Sequence, residues 1–148
     1  MKTIKIKKIV IPFDGSVYSK HAFDMALNIA QKYNSKLILL TCIEKINGSW
    51  YGVEFSHLYQ KDVKKYQEKI LKETSKLASI SKKKKISTTT KIFVTDSIVE
   101  EILSFTKSTK ADMIVMGSHG RSGIDKLILG SIANGVVQRS KIPVLVVR

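Results

Sequence analysis

The chain has 148 residues, of which 43% are hydrophobic, and a formal net charge of +14. That length ordinarily makes one domain with a buried core, and no apolar run approaches the roughly 18 residues that a membrane span requires. A lone cysteine, Cys42, excludes an internal disulfide, no Cys/His cluster has metal-ligand spacing, and the basic start runs into a strand-like segment instead of a signal peptide; a cytoplasmic protein is expected.

Taken in order, Lys8–Phe13 is a short β-rich run and the first predicted strand. Asp14-Gly15-Ser16 is turn and cap chemistry, because Asp and Ser side chains accept backbone N–H bonds. Ala22, Phe23, Ala26, Leu27 and Ala30 then recur with helical spacing to about Tyr33, and Asn34-Ser35 ends that helix. Leu37–Ile43 is apolar on both faces, as a central parallel strand should be. Glu44 to Ser56 reads as irregular, with Gly48, Ser49 and Gly52 around Trp50 and Tyr51, two aromatics expected to bury apolar area under a long loop. An amphipathic helix follows to about Ile80, with Ser81–Lys85 as a polar connection. Ile86–Val94 alternates, one face polar with a lysine, which predicts an edge strand. Ser97 caps a third helix carrying Ile98, Val99, Ile102, Leu103 and Phe105, with Glu100 and Glu101 well placed in its first turns. Met113–Met116 is the fourth strand, a helix runs from Ser131 through Val137, and Pro143 introduces a last strand, Val144–Val147. Strands alternating with helices make a parallel sheet covered on both faces. Ligands of such sheets bind beyond the carboxyl ends of the strands, where strand order reverses.

The positive charge invites a polyanionic partner, but its distribution argues otherwise. Between Lys61 and Lys85 ten lysines face only Asp62, Glu68 and Glu73, so half of the surplus lies in one segment. On a helical projection Lys61, Lys65, Lys69, Lys72 and Lys76 form one stripe, opposite Val63, Tyr66, Ile70 and Leu77. That is a solvated helix face, and nucleic acid is not the expected partner.

Four of the eight glycines fall within Met116–Ser131, directly after the fourth strand. In the spacing Gly117-x2-Gly120-x9-Gly130-Ser131, Gly117 would let backbone approach a ligand. Gly120 would turn the loop back with its N–H groups inward, the nest geometry that holds anions. Gly130 and Ser131 open a helix whose free N–H groups and dipole favour phosphate, with the Ser131 hydroxyl as a further donor. Neither G-x-x-x-x-G-K-[ST] nor G-x-G-x-x-G after the first strand is present.

That spacing, with "MGSHGRSG" before it and "PVLVVR" after it, resembles the ATP-binding branch of the universal stress protein family. "KKIVIPFDGSVYSKHAFDMALNIA", "KLILLTCIE" and "VEEILSFTKSTKADMIVMGSHGRSG" extend the likeness over the whole chain. The resemblance implies a single three-layer α/β/α domain, Rossmann-like and akin to the adenine nucleotide alpha hydrolases, whose five-stranded parallel sheet runs 3-2-1-4-5. It also implies a homodimer pairing through Val144–Val147, and ATP as the ligand, with Mg²⁺ or Mn²⁺ held mainly by the nucleotide phosphates. By position, Pro12 and Asp14 would flank the adenosine, and Cys42 would meet the adenine edge through its backbone. Met116, Gly117, Ser118, His119, Gly120, Arg121, Ser122 and Gly123 would form the phosphate and ribose loop, and Ser131, Ile132 and Ala133 the helix start. Many members carry a Gly-x-Pro turn after the third strand; here the residues are Thr95-Asp96-Ser97.

Hydrolysis would need a positioned water, a base and stabilisation of the transferring phosphoryl, and only the last is legible. His119 lacks an acidic partner to orient it, so loop packing or a phosphate contact is its expected role. Arg121 and Lys126 read equally as phosphate partners or solvated cations, and Asp14 as a ribose or metal-side ligand. The resemblance implies a nucleotide-dependent stress or signalling protein, with hydrolysis slow or partner-dependent. Three alternatives fit less well. A phosphoacceptor domain using Asp96 would need paired acids after the first strand. A PP-loop adenylating enzyme would need a phosphate loop at "FDGSVYS", which offers a faint echo. A basic nucleic-acid-associated protein would show steep salt dependence.

Overall fold

The computed structural model describes residues 3–46, 52–121 and 128–148. Its elements are β1 (Lys8–Pro12), α1 (Val17–Tyr33), β2 (Lys36–Glu44), α2 (Gly52–Lys83), β3 (Thr88–Thr95), α3 (Ile98–Ser108), β4 (Met113–Gly117), α4 (Ser131–Arg139) and β5 (Val144–Val147). The five strands form one parallel sheet in the order β3-β2-β1-β4-β5. The expected architecture is therefore present.

Side-chain alternation along the strands divides the core into two layers. Ile9 and Ile11 of β1 turn towards α1 and α2, where Phe23, Leu37, Leu39 and Ile70 are also buried. Val10 turns to the other face and packs with Ile102, Phe105, Ile114 and Val136 under α3 and α4. Because both faces are covered, β1 reads as a continuous apolar run. β3 is an edge, as its pattern predicts, with Thr89 and Lys91 exposed.

Serine caps set two helix starts. Ser16 Oγ accepts the Ser19 N–H at 3.1 Å, and Ser97 Oγ accepts the Glu100 N–H at 3.4 Å. The Thr95-Asp96-Ser97 turn closes on itself, the Ser97 N–H reaching Thr95 Oγ1 at 3.3 Å.

The second helix is longer than its periodicity announces, starting at Gly52 inside the segment read as irregular and running past Ile80 to Lys83. Ser81 looks like the start of a loop, yet it is buried, and its hydroxyl bonds back to the carbonyls of Leu77 and Ala78. A serine that satisfies itself on the preceding turn is compatible with helix. The helix ends where the Ile86 N–H returns to Ser81 O across Lys85, which sits at φ 61°. Ile86 therefore closes the helix into the core, and β3 begins at Thr88 instead of Ile86. Gly48, Ser49, Trp50, Tyr51, Ser122, Gly123 and Lys126 lie outside the described residues.

Candidate functional site

β1 and β4 are neighbours in the sheet, but the chain passes through β2 and β3 between them. Beyond their carboxyl ends lies a cleft of about 440 Å³, the position where open parallel sheets bind ligands. Six elements converge on it, α1 contributing Ser19. β1 supplies Pro12 and, just beyond it, Asp14; β2 supplies Leu40 and Cys42; β4 and its loop supply Met116 to Gly120. Ile98 and Ile102 enter from α3, and Gly130, Ser131, Ile132 and Ala133 from the start of α4. All the described residues expected at the site line this cleft except Arg121. Leu40, Ile98 and Ile102 are additions; they read as plain core positions in the sequence, and no local signal marks them.

One end of the cleft is apolar and presents strand backbone. β1 stops at Pro12, and Phe13 N–H makes the last bond across, to Leu40 O at 2.8 Å. Even-numbered residues of β2 point their backbone groups towards β1, as Lys36 and Leu40 do. Cys42 is the next such residue after Leu40, so its N–H and C=O face the space that β1 vacates. Its thiol is pushed up to about 12, first by burial and then by the charge of Glu101. It is a neutral, inert wall at physiological pH.

The other end is lined by α4. Gly130 is its N-cap and makes no side-chain cap bond, in contrast to the serines that close α1 and α3. The N–H groups of Ser131, Ile132 and Ala133 belong to the first helical turn, which has no intrahelical acceptors, and all three residues line the cleft. Gly130 itself is held in place by its N–H to Ser118 O at 2.8 Å.

The glycines serve the protein more than the sequence reading expects. A Cβ on Gly117 would stand 2.7 Å from Tyr18 Cβ and 2.8 Å from its carbonyl carbon. Its bare Cα therefore accommodates the first turn of α1. A Cβ on Gly130 would stand 2.9 Å from Ser118 O, so this glycine lets α4 start against the β4 loop. Gly120 does not adopt the positive φ of a nest; among the described residues the glycine at positive φ is Gly15, at 80°. Gly120 instead lies against Asp14, whose Oδ2 would be 3.1 Å from an added Cβ.

Polar side chains at the mouth are partly committed. Asp14 Oδ1 accepts the Ser16 N–H at 2.9 Å, which fixes the turn and leaves Oδ2 towards Gly120. His119 Nε2 lies 2.7 Å from Ile128 O and Nδ1 lies 2.9 Å from Ser118 Oγ. A carbonyl only accepts, so Nε2 carries the proton and Nδ1 takes the serine hydroxyl. The ring thus clasps the two ends of the loop and packs on Tyr18, centroids 5.3 Å apart. Arg121 stacks over Tyr66 of α2, 4.1 Å from the ring centroid, while the Tyr66 hydroxyl donates to Asp14 O at 3.0 Å. Among the described residues lining the cleft there is no lysine or arginine, and no group of three His, Cys, Asp or Glu side chains stands ready for a metal.

Residues 5–148 match the universal stress protein family. The chain belongs to that family. A universal stress protein of Methanocaldococcus jannaschii is 34% identical over 96% of this chain and 82% of its own. The universal stress protein UspA from Lactobacillus plantarum superposes with a TM-score of 0.87 at 20% identity, covering 97% of this chain and 99% of that one. A universal stress protein solved in complex with cAMP has a TM-score of 0.68 and 28% identity, with 96% and 97% coverage. No helix of this universal stress protein is long and apolar enough, among the described residues, to cross a membrane.

Proposed function

We propose that this chain is an ATP-binding universal stress protein whose bound nucleotide serves a stress or signalling role. The adenine would occupy the apolar end, its edge hydrogen-bonded to the free backbone of Cys42 and its faces against Pro12 and Met116. Asp14 would take the ribose hydroxyls through Oδ2. The phosphates would run along the β4 loop to the start of α4. The observation that carries this reading is the uncapped first turn of α4, whose three N–H groups open into a cleft that is otherwise mostly apolar. Such donors, reinforced by the helix dipole, suit an anion. The relative solved with cAMP supports an adenine nucleotide in particular. Mg²⁺ or Mn²⁺ would travel with the phosphates, with Asp14 as the one carboxylate among the described residues that line the cleft.

The test is thermal unfolding with ATP and Mg²⁺, compared with AMP and with inorganic triphosphate. ATP at about 100 times its dissociation constant adds roughly 2.7 kcal/mol of stability. Ser131→Pro refines the test. Proline is accepted at the first helical position, and Gly130, at φ −60° and ψ 155°, has the extended backbone that precedes proline comfortably. The variant should fold yet lose one amide donor to phosphate, about 1.5–3 kcal/mol, or roughly tenfold to a hundredfold in Kd. Ser131→Ala separates the hydroxyl from the amide. Absence of any shift at millimolar ATP, or equal shifts with inorganic triphosphate, would remove the proposal.

A further inference from the structure

The end of the sheet opposite the cleft carries a different set of charges from the stripe on α2. Every strand is led in by lysine: Lys7 and Lys8 at β1, Lys36 at β2, Lys84 and Lys85 ahead of β3, Lys110 ahead of β4 and Lys141 ahead of β5. Because the strands are parallel, these residues share one end of the molecule. In sheet order they run Lys85, Lys36, Lys7, Lys110, Lys141, and all five are exposed. At about 4.8 Å per strand the row spans roughly 19 Å.

Helices α1, α2 and α3 deliver their last turns to the same end and add Lys32, Lys82, Lys83 and Lys107. The helix dipole accounts for those four; it does not call for Lys7 or Lys36, which lie outside any helix. The acid at this end, Asp112, spends Oδ2 on the backbone N–H groups of Lys7 and Lys8. Glu44, Asp96, Glu100 and Glu101 lie at the other end, with the carboxyl ends of β2 and β3 and the start of α3. Two of the row's lysines also occupy backbone that glycine enters more cheaply: Lys85 at φ 61° and Lys110 at φ 53°. At the β3 end of the row, Lys82, Lys85, Ser79, Ser87 and Thr88 line a groove of about 490 Å³, with ammonium and hydroxyl groups together.

We propose that this lysine-led end of the sheet is a docking surface for the phosphodiester backbone of a nucleic-acid duplex, read without sequence preference. Over roughly 19 Å of helix axis a duplex presents about eleven phosphates, both strands counted, enough for each of the five lysines of the row to meet one. Helices reach this surface end-on, whereas binding to a lipid surface uses an amphipathic helix lying flat in the interface. The groove beside Lys85 seats a phosphate at the end of the track.

Binding of the full chain to a fluorescent 20-base-pair DNA duplex of arbitrary sequence, followed by anisotropy from 50 to 200 mM NaCl, tests this. Five phosphate contacts predict a slope of log K against log salt of about −4.5, hence roughly 500-fold weaker binding across that range. The variant Lys36→Glu/Lys85→Glu/Lys110→Glu should bind at least tenfold more weakly at 100 mM NaCl. The variant Lys61→Glu/Lys65→Glu/Lys69→Glu, with the same change in net charge on the outer face of α2, should stay within threefold of the parent. Thermal melting confirms that each folds; if the first does not, Lys36→Gln/Lys85→Gln/Lys110→Gln replaces it and should still flatten the slope by about 2.7, or 0.9 per lost contact. Three results would overturn the proposal: no duplex binding at 50 mM salt, equal losses in the two triple variants, or capture by phosphatidylserine vesicles without duplex binding.

Discussion

In the proposed site Cys42 would serve through its backbone while its side chain stays out of the chemistry. Burial and Glu101 hold its thiol neutral, so the sulfur contributes shape. The same shift has a consequence for stability. A thiol that ionises less readily when folded supports the fold fully below its unfolded value, and that support is lost as pH rises from 9 towards 12. Tyr66, raised mainly by its own burial, adds to the loss in the same direction. Urea unfolding from pH 8 to 10.5 should therefore show stability falling with pH in the parent and falling less steeply in Cys42→Ala; parallel slopes would refute this. Gly117 and Gly130 make the complementary point. Glycine spacing located the loop correctly, but the space at both positions is filled by Tyr18 and by the Ser118 carbonyl. A sequence records that a Cβ is absent and does not record what stands in its place.

At the scale of elements, β5 is the feature left open. It ends the sheet at the edge opposite β3, and all four of its residues are only partly buried. Pro143 O and Val147 O accept from Ile114 and Ser118, so the odd residues face β4 and Val144 and Val146 turn their backbone outward. An apolar edge of this kind is covered in stable proteins, and we propose that a second copy covers it through the same strand. Val146→Pro removes one outward N–H and spares the β4–β5 ladder, a position where an edge strand tolerates proline. Light scattering should report a dimer for the parent and a monomer for the variant, and a monomeric parent would refute the proposal. α2 carries the opposite lesson. Its apolar period is legible only where lysines alternate with Val63, Tyr66 and Ile70, and its two ends lie beyond that stretch, where glycine and serine read as loop.

For the molecule as a whole the net charge of +14 is an unfavourable term. Like charges gathered on the outer face of α2 and at the strand starts repel in the compact state, and salt screens them, with a Debye length of about 30 Å at 0.01 M and 8 Å at 0.15 M. Raising NaCl from 10 to 300 mM should stabilise the fold by about 1 kcal/mol, a rise in Tm of roughly 3 °C. Scanning calorimetry in NaCl measures it; a Tm that falls with added salt would show that attraction between charges outweighs repulsion.

The order of strands and helices, the edge character of β3, the serine caps and the glycine loop beyond β4 were all determined by the sequence. Each is written in a period or in local turn chemistry within one segment. The tertiary structure alone decided three things. It set Ile98 and Ile102 of α3 beside Cys42, it drew Arg121 onto Tyr66, and it gathered lysines from five separate strand starts onto one end. These depend on which segments a parallel sheet makes neighbours, and no window of sequence contains both partners of such a contact.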